Sequence, residues 1–419
     1  MNSKEKVKRA LSHKPGPMPM DFGGTPTTGM HVSIVEGLRK YYGLEERPVK
    51  VNEPYQMLGE IEPDLREAMG VDVVGVYGRG TMFGFPLENW KEWRTPWGQE
   101  VLVPGDFNVK TDGKDILIYP QGDTSAPASG RMPEDGFFFD SIIRQPPIDE
   151  NALNPEDNLK EFGPISEEEL KHLAAETAKA RKTDCGVIAN FGGTAFGDIA
   201  LIPGPALKHP QGIRDVAEWY MSTVTRRDYI HAVFDKQAEY ALENLSRIKE
   251  AVGDGIDALF ICGTDFGTQN GQFCSPETFD ELWLPYYKRI TDWIHANTDW
   301  QCFKHSCGAI IPFMERFDEA GFDILNPVQC SAAGMDPEML KANYGDKFTF
   351  WGGGVDTQKT LPFGTPEEVR KQVMSRCEIF GRDGGFVFNA IHNVQAKTPI
   401  ENVVTMLETV REYNGRQVE

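Results

Sequence analysis

Two side chains with metal-binding chemistry, His305 and Cys307, lie two residues apart in the stretch Gln301–Gly308. This stretch reads Gln-Cys-Phe-Lys-His-Ser-Cys-Gly, which is typical of a short strand that ends in His-Ser-Cys-Gly. Because residues two apart on an extended chain point to the same side, the imidazole and the thiol are expected to converge on one point. Imidazole nitrogen and thiolate sulfur are good ligands of Zn²⁺. The spacing predicts part of a zinc site, and the chain must supply at least one more ligand.

Three residues are candidates for that further ligand: Asp265, Cys330 and His392. A set of His, Cys and Cys, or of His, Cys and His, with one open position matches catalytic zinc sites. Each candidate also has a purely structural interpretation. Cys330 could be a small buried apolar residue, His392 a histidine bonded to the backbone, and Asp265 a helix cap. The sequence leaves these alternatives open.

The elements that must position these residues alternate between strand and helix. Eight strand candidates lie near residues 18, 73, 187, 257, 301, 324, 348 and 386, and each is followed by a helix. The middle strands are apolar runs, as expected of parallel strands that are buried on both faces. Eight such units predict an α/β fold, the (β/α)₈ TIM barrel. An open doubly wound sheet is the alternative, but no strand is followed by a Gly-x-Gly-x-x-Gly or Gly-Lys-Ser turn.

Residues 85–150 depart from this alternation. Trp90, Trp93 and Trp97, with several glycines, alternate there with short β-branched runs. This pattern predicts an inserted β-hairpin or small sheet that covers the barrel. We therefore expect one barrel domain over residues 1–419, with a β-rich insertion at 85–150.

Polar residues follow every predicted strand. The active site of a (β/α)₈ barrel lies at the carboxyl ends of its strands, so these residues are expected to meet in one pocket. Asp265, Asp356 and His392 are the candidate catalytic residues. The candidate substrate-binding residues at the strand ends are Thr25, Arg79, Asn190, Gln269, Asn326, Gln329 and Asn389.

The composition disfavours several classes of partner. The chain has a formal net charge of -20, so nucleic acids and anionic membranes would be repelled. No apolar run approaches the ~20 residues that span a bilayer, and the charged N-terminus lacks the apolar core of a signal peptide. These features predict a cytoplasmic protein whose seven cysteines are reduced thiols. They do not predict an oligomeric state.

Several motifs resemble the uroporphyrinogen decarboxylase superfamily. They are His305–Gly308, Asp323–Gln329, Gly352–Thr357, Gly384–Asn389 with His392, and Thr398–Val403. The resemblance covers most of the chain and is strongest from about residue 254 to the end. It implies a (β/α)₈ barrel. The superfamily includes the decarboxylases of haem synthesis and zinc-dependent methyltransferases that exchange methyl groups with corrinoid proteins.

The two branches of this superfamily imply different site residues. The decarboxylases carry an arginine-rich segment after the first strand, whereas residues 23–28 here read Gly-Gly-Thr-Pro-Thr-Thr. They also carry a catalytic aspartate at the end of the second strand, where Arg79 stands here. The methyltransferases carry a His-x-Cys pair, which His305 and Cys307 match, and a distal cysteine whose place is taken here by His392. The resemblance therefore implies His305 and Cys307 as metal ligands. Either His392 or Cys330 replaces the distal cysteine, or the site holds no metal.

By this resemblance we expect a zinc-using methyltransferase that moves a methyl group between a small methylated substrate or thiol and a corrinoid protein. The chain has no Asp-x-His-x-x-Gly run of the kind that binds cobalamin. The cobalamin would thus arrive on a separate partner protein. One alternative is a metal-free decarboxylase of a smaller carboxylic acid, with Arg79 anchoring the carboxylate and Asp265 or His392 handling the proton. The other alternative is a non-catalytic barrel that only binds a small ligand.

Overall fold

The computed structural model describes residues 1–416, and fifteen strands and thirteen α-helices form within this range. The strands are β1 (Val49–Glu53), β2 (Leu58–Gly59), β3 (Val73–Tyr77), β4 (Lys91–Arg94), β5 (Glu100–Val103), β6 (Val109–Asp112), β7 (Asp115–Ile118), β8 (Gly130–Met132), β9 (Asp140–Ser141), β10 (Gly186–Asn190), β11 (Ala258–Cys262), β12 (Gln301–His305), β13 (Ile324–Asn326), β14 (Thr349–Trp351) and β15 (Phe386–Val387). The helices are α1 (Ser3–Leu11), α2 (Val32–Tyr41), α3 (Pro63–Met69), α4 (Glu167–Ala180), α5 (Val216–Thr225), α6 (Arg227–Val252), α7 (Pro276–Leu282), α8 (Leu284–Asn297), α9 (Met314–Glu319), α10 (Pro337–Tyr344), α11 (Thr360–Phe363), α12 (Pro366–Phe380) and α13 (Ile400–Arg416).

Seven strands form one parallel sheet in the order β15-β14-β13-β12-β11-β10-β3. The main chain at Met20 and Asp21 joins its two edges. The Asp21 N–H donates to the carbonyl of Phe388 at 2.9 Å, and the Asp72 N–H donates to the carbonyl of Met20 at 2.8 Å. The sheet therefore curls into the predicted α/β barrel, and that prediction is confirmed.

The eighth barrel position differs from the regular strand that the sequence predicts near residue 18. The segment forms one parallel bridge, between Met20 and Phe388. Pro17 and Pro19 lack an N–H group, so they cannot donate to a regular ladder. The bridge still brings the loop after Asp21 to the carboxyl end of the barrel.

The barrel interior is packed by apolar side chains from alternate strand positions. Phe260, Phe303 and Trp351 belong to one buried cluster that also contains Val7 and Leu11 of α1. Helix α1 thus closes the end of the barrel at which the strands begin. The opposite end, where the strands finish, is left for polar side chains.

Two four-stranded sheets flank the barrel, in the orders β2-β1-β5-β4 and β6-β7-β8-β9. Strands β4 to β9 all lie within the β-rich insertion predicted at 85–150. Strands β1 and β2 precede that range and were not predicted. Strand β1 pairs in parallel with β5, so the first sheet combines the insertion with earlier chain.

Two helix ends are set by particular residues. Residues 276–297 form two helices, α7 and α8, which are separated at Trp283. Pro285 stands in the first turn of α8 and lacks the N–H group that a continuous helix would need. Helix α1 is capped by Asn2, which forms a capping box with Glu5. Within the described residues, none of the helices has the length and apolar character needed to cross a lipid bilayer.

Candidate metal centre

Three side chains with metal-ligand atoms converge where the barrel strands end: His305, Cys307 and His392. One ring nitrogen of each histidine and the sulfur of Cys307 all lie within 4.8 Å of one another. The Nε2 atom of His305 lies 3.4 Å from Cys307 Sγ, and the two imidazole centroids are 5.4 Å apart. The three residues form the metal triad of this protein's candidate site.

Asn326, at the end of β13, orients the His305 ring. Its Oδ1 accepts a hydrogen bond from His305 Nδ1 at 2.6 Å, while its Nδ2 donates to the carbonyl of Trp351 at 2.7 Å. The second bond fixes which end of the amide faces the histidine. His305 must then carry its proton on Nδ1, so the lone pair of Nε2 faces Cys307. Such a hydrogen bond behind a ligating histidine sets its tautomer and direction in metal sites.

Burial keeps both histidines neutral. Desolvation lowers the pKa of His305 to about 4, and desolvation together with the neighbouring His305 lowers the pKa of His392 to about 4. Neutral imidazole is the form that binds a metal ion. Desolvation and the nearby Asp265 raise the pKa of Cys307 well above its ordinary value. Cys307 is therefore a thiol without metal, and metal binding would displace its proton.

The donor set fits a zinc ion. Among residues 1–416, neither ring nitrogen of His392 makes a hydrogen bond, although the ring lies next to His305 and Cys307. A half-buried imidazole without a polar partner costs free energy unless a ligand or water satisfies it. Two neutral imidazoles and one sulfur are a ligand combination that Zn²⁺ accepts, with a fourth position for substrate.

The segment after β12 is held from several sides, which fixes the position of Cys307. The Cys307 N–H donates to Asp265 Oδ1 at 2.7 Å, and the Gly308 N–H donates to Gln329 Oε1 at 2.7 Å. Gly308 has φ +87°, and a β-carbon there would lie 2.3 Å from the backbone of Gly267. Only glycine fits this position, because both the left-handed conformation and the close approach exclude a side chain.

Two of the predicted metal ligands lie outside the metal triad. Asp265 Oδ1 is 3.9 Å from His305 Nε2, and burial raises the pKa of its carboxyl group. Its carboxylate is instead bonded to the main chain of Cys307. Burial raises the pKa of Cys330 to about 11, and its sulfur is not part of the group within 4.8 Å in the described chain.

Most other predicted site residues bond to the protein itself. The guanidinium group of Arg79 pairs with Glu88 at 3.2 Å and with Glu168 at 2.9 Å. Asp356 is buried, and its carboxylate accepts the N–H of Gln358 at 2.7 Å. Further bonds of this kind join Asn190 Oδ1 to the N–H of Gly192, Thr25 Oγ1 to Thr27 Oγ1, Asn389 Nδ2 to the carbonyl of Asp21, and Gln269 Oε1 to Gln329 Nε2.

Sequence reasoning missed three carboxylates near the strand ends: Asp21, Glu53 and Asp198. Burial raises the pKa of Asp21 and Asp198 to about 6 and that of Glu53 to about 7. Asp21 lies inside the predicted first strand, and Asp198 lies eight residues beyond β10, so a longer search after each strand would have found Asp198. Nothing in the sequence marks Glu53, because β1 was not predicted.

Several of these side chains are desolvated but keep some contact with water. Asp198, Asp265, Cys307 and His392 are partly exposed, yet burial shifts the pKa of each. A desolvated group that is still accessible lies in a recess and not on the open surface. Phe260 lies under His305, with ring centroids 6.4 Å apart, and forms part of the apolar floor.

Comparison with known proteins gives a consistent relationship. Residues 144–413 match the family model of uroporphyrinogen decarboxylase (URO-D). A uroporphyrinogen decarboxylase of Pseudoalteromonas translucida is 25% identical over 193 residues, which are 45% of this chain and 49% of that protein. The chain thus spans about half the length of this relative. A uroporphyrinogen decarboxylase of Trichodesmium erythraeum is 22% identical over 291 residues, covering 68% of this chain and 75% of the relative.

A solved structure has a similar overall fold. A methyltransferase from Methanosarcina mazei superposes with a TM-score of 0.53, covers 99% of both chains and is 14% identical in sequence. At this identity the likeness describes the fold.

Proposed function

The chain belongs to the uroporphyrinogen decarboxylase family, and from this premise we propose that it is a zinc-dependent methyltransferase. It would move a methyl group between a small substrate and a cobalamin carried by a separate corrinoid protein. The observation that supports this proposal most is the convergence of His305, Cys307 and His392 within 4.8 Å. The methyltransferase of similar fold from Methanosarcina mazei is a second, weaker support.

His305, Cys307 and His392 are the proposed zinc ligands. Zinc held there would act as a Lewis acid, lowering the pKa of a substrate thiol or polarising the oxygen or nitrogen that carries the methyl group. The residues around the proposed ligands orient them and exclude water from the site. Asn326 holds the His305 ring so that its Nε2 faces Cys307, and the Asp265 carboxylate fixes the main chain of Cys307. The apolar floor at Phe260 excludes water from below.

Asp265 is the proposed proton-holding group of the site. Its carboxyl pKa is raised by burial, and its Oδ1 lies 3.9 Å from His305 Nε2. A carboxyl group with a raised pKa accepts and returns a proton more readily near neutral pH. It would take the proton that leaves a substrate thiol, or supply one to a leaving amine or alkoxide.

Decarboxylation of a smaller carboxylic acid is the second candidate, because the curated relatives are decarboxylases. Such a substrate needs a cationic group to hold its carboxylate. The segment 23–29 contains no arginine, and Arg79 is already paired with two glutamates. These observations favour methyl transfer over decarboxylation.

The two candidates are separated by one assay. Purified protein supplied with Zn²⁺ is incubated with methylcobalamin and a panel of small thiols, and thioether products are measured by mass spectrometry. Methyl transfer that is lost in His305→Ala and kept in Cys330→Ala supports the proposal. Release of CO₂ from small carboxylic acids without any corrinoid, unchanged by His305→Ala, would contradict the methyltransferase proposal and support the decarboxylase.

A further inference from the structure

Two carboxylates lie beside the metal triad. Asp265 follows β11, and its Oδ1 lies 3.9 Å from His305 Nε2. The carboxylate of Asp198 lies against the main chain two residues before Asp265. A β-carbon added to Gly263 would lie 2.8 Å from Asp198 Oδ2. The two carboxylates are close enough that the charge of Asp265 contributes to the raised pKa of Asp198, after the larger effect of burial. Two acidic groups thus lie close together beside the metal triad.

The nearest basic side chains are directed elsewhere. In the segments that follow the eight barrel positions, 23–29, 78–80, 191–198, 263–270, 306–310, 327–331, 352–358 and 388–396, the sequence contains Arg79 and no other lysine or arginine. The guanidinium group of Arg79 pairs with two glutamates. Lys304 is fully buried, and its Nζ donates to the carbonyls of Thr264 at 2.6 Å and His305 at 2.5 Å. Neither cation pairs directly with Asp198 or Asp265. The charge of Lys304 lowers the pKa of both carboxyl groups, but burial has the larger, opposite effect.

An aromatic pair lies next to the carboxylates. The rings of Tyr220 and Phe273 stack with centroids 4.9 Å apart and an interplanar angle of 11°. The Tyr220 hydroxyl donates to the main-chain carbonyl of Asp265 at 3.3 Å, which places the pair beside that residue. Phe273 is 37% exposed, so a face or edge of the pair is open to a ligand. Aromatic faces attract alkylated cations, and methylated ammonium groups in particular.

We propose that the site selects a positively charged substrate, whose methylated ammonium or comparable cationic group is held by Asp198 and Asp265 beside Tyr220. This inference rests on the proposed function for the identity of the reacting centre. The cationic end lies against the carboxylates, while the reacting sulfur, oxygen or nitrogen faces His305 and Cys307. The carboxylates would repel an anionic group placed at the end of the substrate that lies beside them, away from the proposed zinc ligands.

Three molecules of nearly equal shape and different charge test the inference. Choline is cationic, 3,3-dimethylbutan-1-ol is its neutral isostere, and 3,3-dimethylbutanoate is anionic. Their binding to the full-length protein supplied with Zn²⁺ is measured by isothermal titration calorimetry. We expect choline to bind at least about tenfold more tightly than the alcohol, as a cation held by carboxylates and aromatic faces should. Equal affinities, tighter binding of the carboxylate, or no choline binding would overturn the inference.

A variant locates the selectivity. In Asp198→Asn we expect the affinity for choline to fall about tenfold and that for the alcohol to stay the same, because only the cation uses the charge. Asp299→Asn, which changes an exposed aspartate on the surface, is the matched control and should alter neither. A parallel fall for both ligands in Asp198→Asn would mean that the carboxylate only shapes the cavity, and would contradict the inference.

The methyl-transfer assay keeps the two proposals separate. Methyl transfer from methylcobalamin without any preference for cations would contradict only the substrate class. A clear preference for choline in protein that transfers no methyl group would contradict only the proposed function.

Discussion

The indole Nε1 of Trp351 donates a hydrogen bond to Oδ2 of Asp21 at 2.8 Å, inside the barrel. The carbonyl of the same tryptophan accepts from Asn326, whose Oδ1 in turn accepts from His305. Trp351 therefore connects a buried carboxylate, bonded to its indole, with the metal triad, which is linked to its main chain through Asn326. Side chains that never contact a metal ion can set its affinity through such links.

Asn326→Leu tests this link. The substitution removes the acceptor for His305 Nδ1, so the ring loses both its tautomer and its orientation. We expect zinc affinity to fall about 10- to 100-fold, measured by competition with a chromogenic chelator. Thr27→Val removes a weaker donor to the same Asn326 oxygen, at 3.3 Å, and should have a smaller effect. Unchanged zinc affinity in folded Asn326→Leu would show that Asn326 does not position the histidine.

Asp21→Asn tests the buried carboxylate through the pH dependence of stability. Burial raises the pKa of Asp21 from 3.8 to about 6, so the folded protein holds this proton more tightly than the unfolded chain. The stabilisation is complete below pH ~4 and is lost as pH rises through about 6. The amide cannot ionise. Relative to the wild type, the free energy of unfolding of the variant should therefore increase by up to about 3 kcal/mol between pH 4 and pH 8.

Urea denaturation at several pH values measures this difference. Asp299→Asn, at an exposed position, serves as the control. Parallel stability curves for wild type and Asp21→Asn would mean that Asp21 is not held in a desolvated environment.

Lys304→Met tests the buried cation behind the site. Its ammonium group bonds two main-chain carbonyls and lies 5.0 Å from the centroid of the Phe266 ring. Methionine fills the space but leaves both carbonyls without a donor, so we expect a loss of about 2–4 kcal/mol in the free energy of unfolding. Lys288→Met, at an exposed position of α8, should cost less than about 1 kcal/mol. Equal effects of the two substitutions would show that the buried bonds contribute little.

Arg79→Ala separates methyl transfer from decarboxylation. Because the guanidinium group is occupied by Glu88 and Glu168, we expect kcat/KM for methyl transfer to change by less than about threefold. Removal of an arginine that anchors a substrate carboxylate would lower kcat/KM by more than about tenfold. A large rise in the KM of Arg79→Ala for decarboxylation of a carboxylic acid would therefore favour the decarboxylase and weaken the proposed function.

The fold was predictable because its signals are local. Apolar runs such as Gly186–Asn190 and Ala258–Cys262 alternate with amphipathic helices, and this period identifies a barrel. The sequence did not predict strand β1, and it predicted a regular strand where Met20 forms only a single bridge. Both depend on pairing with distant chain, at β5 and at Phe388, and no local pattern reports such pairing.

The convergence of His305 and Cys307 was predictable from their spacing. Residues two apart on an extended chain point the same way, although β12 itself ends at His305. The choice among His392, Cys330 and Asp265 depends on how loops fold over the barrel, and the sequence left it open. The roles of Gln329 and Asp265 in holding the main chain at Gly308 and Cys307 depend on the same loop contacts. These contacts can be identified only in three dimensions.

Metal content tests the central claim most directly. Zinc per chain is measured by mass spectrometry in the wild type, in His305→Ala, Cys307→Ala and His392→Ala, and in Cys330→Ala as the control for loss of a half-buried thiol. The account predicts about one zinc ion per wild-type chain, a loss in each of the three triad variants, and retention in Cys330→Ala. A wild-type protein that binds no zinc, or zinc that is lost in Cys330→Ala and kept in His392→Ala, would contradict it.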